Sequence, residues 1–206
     1  DMDGNLDVVV ANGHIHRSAR QFSDMDYPQT AQFFRGLGKA RFENVSATSG
    51  AYFSTPMVGR GIAVADFNRD GLPDLACSHV GQGVKLLRNA TSTSNAMISL
   101  DLVPKGSRSP CNAVGARVLV GAAENKRTAF AIGGGSYLSG SEQRMMVGLG
   151  TSTKLDSLDL VWPSGLRQKV PVESVWVGAA FRINEGQNPE SLGTLSSKPK
   201  MDAKIN

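Results

Sequence analysis

The stretch Asp66-Phe67-Asn68-Arg69-Asp70-Gly71-Leu72-Pro73-Asp74 lies between two apolar runs, Ile62-Ala63-Val64-Ala65 and Leu75-Ala76-Cys77. Counting from Asp66, side-chain oxygens fall at loop positions 1, 3, 5 and 9 (Asp66, Asn68, Asp70 and Asp74), with Gly71 at position 6 where a tight loop must reverse. Calcium takes six to eight hard oxygen ligands in a flexible shell, and alternating oxygen residues on a short turn suit it. In this register the Leu72 carbonyl is the position-7 ligand. An EF-hand starts the same way but needs a bidentate Glu at position 12 and a helix on either side. Position 12 is Cys77, and the flanks read as short buried strands. Asn, Asp and Gly also favour turns without any metal. Three carboxylates in one short loop repel one another unless a cation neutralises them, so the stretch reads as a strand–loop–strand calcium site.

Working outward, the chain opens on Asp1-Met2-Asp3-Gly4-Asn5-Leu6-Asp7, followed by Val8-Val9-Val10. On the Asp66 loop, Asp1 takes position 3, Asp3 position 5, Gly4 position 6 and Asp7 position 9. The same motif therefore occurs twice, and its first copy lacks position 1. Such internal repetition marks solenoids and propellers. One full copy and a remnant do not bury a repeat array's core, so the chain is expected to be the C-terminal piece of a longer protein. Between the copies, residues 13–29 read as a long polar connection. His14 and His16 stand two apart but have no third ligand nearby, so ordinary loop hydrogen bonds are expected of them. Residues 31–46 read as a hairpin turning through Gly36 and Gly38.

These stretches resemble FG-GAP/VCBS repeats, the β-propeller units also found in integrin α-chain heads. The resemblance rests on LDVVVANGH, QFFRGLGKARFENVS, GRGIAVADFNRDGLPDLA and GVKLLRN. It implies Ca²⁺ bound by Asp66, Asn68, Asp70 and Asp74, and more weakly by Asp1, Asp3 and Asp7. The departures are Asn68 at position 3, which removes one charge, and Pro73 at position 8.

After Asn89 a Ser/Thr/Asn-rich turn marks a boundary. Strands are expected over 97–103, 115–120, 128–132, 145–149, 157–162, 168–172 and 176–183, with Glu124-Asn125-Lys126-Arg127 as a turn. Short strands separated by turn residues argue for a compact all-β unit. This half resembles the ASPIC/UnbV domain, which follows VCBS repeats in cartilage acidic protein-like and bacterial exported proteins. The carriers are VGARVLV, IGGGSYLSGSEQRMMVGLG and LDSLDLVWPSGLRQKV. The expected fold is therefore all-β. Partial β-propeller repeats with Ca²⁺ loops occupy 1–95, a small β-sandwich or barrel-like domain occupies 96–186, and a disordered tail, poor in apolar periodicity, occupies 187–206.

Composition excludes several classes. The 206 residues carry 22 Lys and Arg against 18 Asp and Glu, and this small surplus is scattered rather than clustered, which argues against a nucleic-acid partner. No apolar run is long enough for a transmembrane helix. The two cysteines, Cys77 and Cys111, form no zinc spacing, and their pairing is open. Gly133-Gly134-Gly135-Ser136 lacks the Gly-Lys-Ser/Thr ending of a phosphate loop, so it reads as a bulge or a close backbone approach. Ser164 sits in a Pro-Ser-Gly turn rather than a nucleophile elbow. Trp162 and Trp176 read first as core and second as a sugar platform. Asn44-Val45-Ser46 and Asn89-Ala90-Thr91 fit the glycosylation pattern. The reading is a non-enzymatic, calcium-binding protein of the extracellular space, cell surface or periplasm, with a structural, adhesion or partner-binding role and a protein or glycan partner. The alternative is an enzyme or enzyme accessory working through propeller loops outside this stretch.

Overall fold

The structure is a computed structural model and describes residues 1–21, 23–106, 112–123 and 125–195. Its first half holds β1 (Val8–Val10), β2 (Gln32–Gly36), β3 (Phe42–Asn44), β4 (Gly59–Ala65), β5 (Asp74–His79) and β6 (Gln82–Leu87). These form two three-stranded antiparallel sheets, ordered β1-β2-β3 and β4-β5-β6. The apolar runs on either side of the Asp66 loop are β4 and β5, which pair from Ile62 with Cys77 to Ala65 with Asp74. The hairpin expected over 31–46 is β2 and β3, with Arg35 opposite Glu43.

The second half holds β7 (Ala96–Val103), β8 (Arg117–Ala122), β9 (Asn125–Phe130), β10 (Met145–Gly150), β11 (Ser157–Val161), β12 (Arg167–Val170), β13 (Ala179–Asn184) and β14 (Glu190–Thr194). Two four-stranded sheets result, ordered β10-β7-β13-β14 and β12-β11-β8-β9. Alternation decides which face of each strand is buried. Ile98, Leu100 and Leu102 of β7 and Phe181 and Ile183 of β13 pack into one cluster with Val118 and Val120 of β8 and Leu158 and Leu160 of β11. The result is a β-sandwich, all-β as expected.

Two expectations need correction. The disordered tail does not begin at 187, because β14 pairs with β13 from Ala179–Thr194 to Arg182–Glu190. Residues 196–206 lie outside the described residues. The turn expected at 124–127 is shorter, since β9 begins at Asn125, opposite Ala122, and runs through Lys126 and Arg127. His14 and His16 lie in a loop with an ordinary hydrogen bond, as expected: the His16 N–H donates to His14 Nδ1 at 3.0 Å. Cys111 lies outside the described residues, and Cys77 is buried.

Candidate functional site

The two acidic turns share a left-handed backbone at positions 4 and 6. At position 4, Met2 has φ 63° and Arg69 has φ 58°, both in the left-handed region that side chains rarely adopt. At position 6, Gly4 has φ 89° and Gly71 has φ 90°, values at which a Cβ is strained. The hydrogen bonds repeat as well. The Asp3 N–H donates to Asp1 Oδ1 at 3.0 Å, and the Asp70 N–H to Asn68 Oδ1 at 3.2 Å. The Asn5 N–H donates to Asp3 Oδ1 at 2.7 Å, and the Leu72 N–H to Asp70 Oδ1 at 2.9 Å. At position 9, Asp7 Oδ1 accepts from the Gly36 N–H at 2.8 Å, and Asp74 Oδ1 from the Asn89 N–H at 2.7 Å. Asp7 and Asp74 thus tie each turn to the end of the strand that follows next but one.

The complete turn adds Asp66. Its Oδ1 accepts from the Asp70 N–H at 3.1 Å and its Oδ2 from the Gly71 N–H at 2.9 Å. Asp66 and Asp74 are both buried. Burial pushes the Asp66 carboxyl above its ordinary value; the Gly71 and Asp70 N–H groups pull it back, the Asp70 charge raises it and Arg69 lowers it. Among the described residues neither Asp66 nor Asp74 forms an ion pair. A buried carboxylate without a cationic partner is costly, and a bound cation relieves that cost. The donor set, all hard oxygen, fits calcium rather than a soft metal. In this geometry the carboxylates are turned onto main-chain N–H groups, and among the described residues no three His, Cys, Asp or Glu side chains form a metal-holding group.

Both turns rest on the outer face of the sandwich sheet β10-β7-β13-β14. The Gly150 N–H donates to the Met2 carbonyl at 3.1 Å. A Cβ on Gly148 would stand 2.7 Å from that same oxygen, so glycine is what lets the first turn approach. Asn95 Nδ2 and Thr93 Oγ1 each donate to the Asp1 carbonyl at 3.0 Å. At the second turn, a Cβ on Gly71 would lie 3.4 Å from Met97 Sδ and 3.5 Å from Leu195 Cβ. This cover accounts for the burial of Met97 on the outward side of β7.

A second contact runs along the open edge of β4. Ser136 Oγ accepts from the Ile62 N–H and Ser141 Oγ from the Val64 N–H, each at 3.1 Å. The Glu142 N–H donates to the Val64 carbonyl at 2.8 Å, and Glu142 Oε2 accepts from the Asp66 N–H at 3.1 Å. Glu142 Oε1 pairs with Arg69 at 2.5 Å. Residues 136–142 thus cover a strand edge that would otherwise present unpaired main-chain groups. Gly133-Gly134-Gly135-Ser136 leads into this strap, but the close backbone approach expected of it is not found: a Cβ on Gly134 or Gly135 would meet nothing within 4 Å, and one on Gly133 would meet only the Val114 side chain.

Residues 106–190 match the ASPIC and UnbV family model, and residues 1–77 match the FG-GAP-like repeat model. The chain carries an FG-GAP-like repeat followed by an ASPIC/UnbV segment. No curated protein matches it. The strap, Gly148 and Gly150 belong to the ASPIC/UnbV match and both acidic turns to the FG-GAP-like match, whereas Thr93, Asn95, Met97 and Leu195 lie in neither. The strap contacts and the approach of Met2 to Gly148 and Gly150 therefore join the two matched segments directly.

The other candidates separate cleanly. Trp162 is in the core with its Nε1 donating to Gln168 Oε1 at 2.8 Å, so it cannot be a sugar platform. Trp176 is half-exposed and stands edge-on to Phe181 at 4.9 Å. Cys77 is buried, and burial pushes its thiol up, against the effect of a hydrogen bond with Tyr52. Burial likewise raises the Tyr52 phenol, and Tyr52 Oη lies 3.1 Å from His79 Nε2. Sequence reasoning missed Glu142, Ser136 and Ser141, whose partners lie more than seventy residues away (76, 74 and 77 respectively). It also missed Asn89 as the group that holds Asp74. The available signal was the polar run Ser136 to Gln143 between two strands, too polar for core and too ordered in composition for a linker.

Proposed function

We propose that this chain is a non-enzymatic, calcium-stabilised binding module, in which the metal turns brace the FG-GAP-like repeats against the ASPIC/UnbV sandwich. The observation that carries this reading is the repeated turn, with matched φ angles and matched hydrogen bonds, seated twice on one sandwich sheet. Asp66, Asn68, Asp70, Asp74 and the Leu72 carbonyl are the proposed ligands, with Asp1, Asp3 and Asp7 as the incomplete second set. When bound, Ca²⁺ supplies the positive charge that the buried Asp66 and Asp74 lack. The chain's own groups do the rest. Gly71 permits the reversal, Asn89 orients Asp74, and Glu142 holds the entry of the loop through the Asp66 N–H.

The proposal includes a division near residue 95 and an extracellular, cell-surface or periplasmic setting, the setting in which FG-GAP repeats are typical. Among the described residues no helix is long and apolar enough to cross a membrane. Terbium luminescence tests the site directly, since Tb³⁺ takes the same hard oxygen ligands. Saturable emission that Ca²⁺ displaces and Asp70→Ala abolishes supports the reading. Emission that is absent, or indifferent to Asp70, refutes it.

A further inference from the structure

The basic surplus that is scattered along the sequence is gathered by the register of one sheet. In β12-β11-β8-β9, Val118, Val120, Leu158, Leu160 and Val170 point into the core, so the residues alternating with them point outward. One outward row runs Arg167, Val161, Arg117 and Phe130 across the four strands. The next runs Lys169, Asp159 and Leu119, and Lys126 stands beside Gly121 beyond it. Strand geometry sets Arg167 and Lys169 about 7 Å apart and Arg167 and Arg117 about 10 Å apart. Arg117, Lys126, Arg167 and Lys169 thus share a face on which Asp159 is the acid.

The four cations are exposed, and among the described residues none of them forms an ion pair. The acidic turns rest on the opposite sheet, so the repeats do not cover this face. Residues 196–206 hold three Lys and one Asp and therefore carry the same sign. A second copy docked face to face would set cation against cation. The chain itself supplies no complement.

From this we infer that the face binds a linear acidic polysaccharide, one carrying sulfate or carboxylate groups along its length. The inference rests on the reading of the chain as a binding module and names its partner class, at a surface away from the metal turns. Arg117 and Arg167 offer planar forks to such anions, and Lys126 and Lys169 offer point charges. A protein partner fits less well. Interface centres are depleted of charge, whereas here Arg117 stands between Val161 and Phe130, and Asp159 between Lys169 and Leu119. An added peptide strand fits no better, because β11 and β8 are each paired on both sides and the face offers side chains alone.

The probe is a short labelled dextran sulfate followed by fluorescence anisotropy, with uncharged dextran, polyglutamate and single-stranded DNA alongside. Saturable binding to dextran sulfate is expected, and it should weaken steeply with salt as the polyanion's counterions are released. Arg117→Gln combined with Arg167→Gln should weaken it about three- to tenfold, as the loss of two exposed charge pairs implies. Lys126→Gln combined with Lys169→Gln should do the same from the other side of the face. Lys85→Gln combined with Arg88→Gln removes equal charge from β6 and should leave binding unchanged. All six side chains are exposed, so the variants fold, and circular dichroism checks this. Three results overturn the inference: no saturable binding at low salt, equal weakening by the β6 pair, or polyglutamate or DNA binding as tightly as dextran sulfate. Terbium emission separates this surface from the metal turns. Absent polysaccharide binding with intact emission overturns the face alone, and intact binding with absent emission overturns the calcium reading alone.

Discussion

Glu142 reaches across from the sandwich half to pair with Arg69 at 2.5 Å while its other oxygen accepts from the Asp66 N–H at 3.1 Å. One carboxylate therefore grips the acidic turn at its first and fourth positions. Arg144, 4.0 Å from the same carboxylate, adds positive charge on the opposite side.

Glu142→Ala should destabilise the chain by about 1–2 kcal/mol, the cost of leaving a half-buried main-chain donor without its charged acceptor. Arg69→Ala should cost much less, under about 1 kcal/mol, because its side chain is half-exposed and solvent screens the pair. Urea denaturation of both single variants and the double variant measures the coupling. A cost for Arg69→Ala equal to that for Glu142→Ala would show that the ion pair, not the Asp66 N–H, holds the strap.

Gly71→Ala should cost about 1–2 kcal/mol, although its neighbours leave ordinary van der Waals room. The strain comes from φ 90°, not from crowding. Gly83→Ala, in open space and without a left-handed φ, should change stability by less than about 0.5 kcal/mol. Thermal melts of the two variants provide the comparison.

Trp162→Ala should cost about 3–5 kcal/mol by opening a core cavity. Trp176→Ala should cost about 1 kcal/mol, chiefly the edge-on contact with Phe181. Chemical denaturation of each variant checks the ranking. The two tryptophans lie on neighbouring apolar stretches, and sequence could not separate them, because burial depends on which sheet face each strand end turns toward.

Cys77 should resist a thiol reagent in the folded protein and react at the rate of unfolding, measured in a Cys111→Ser background. Burial raises its folded pKa above the ordinary value of a free thiol. The folded chain therefore holds that proton more tightly than the unfolded chain. The associated stability is intact below about pH 9 and falls as pH rises toward the folded value. Cys77→Ser should flatten that alkaline decline, and denaturant midpoints between neutral and alkaline pH read it out.

Much of this was legible from local patterns. The Asp66 turn, its truncated partner and most sandwich strands follow from oxygen spacing and period-two alternation, which are properties of adjacent residues. What was not legible depends on tertiary contact. Nothing local marks Ser136 and Ser141 as caps for β4, or Gly148 as the place where the Met2 carbonyl rests. Residues 187–195 lack apolar periodicity because β14 is an exposed edge strand, held by main-chain pairing to β13 rather than by burial. The oxygen spacing also did not show that Asp66 and Asp74 would turn onto main-chain N–H groups, a choice set by the left-handed residues between them.

The central claim is that calcium at the Asp66 turn braces the two halves. Its most direct test is the melting temperature of the chain in EDTA and in excess Ca²⁺, with Asp70→Ala alongside. Ligation stabilises by mass action, about 2.7 kcal/mol at a hundredfold excess over the dissociation constant, so Ca²⁺ should raise the midpoint by several degrees. Asp70→Ala should remove most of that rise. Superimposable melting curves in EDTA and Ca²⁺ would contradict the account.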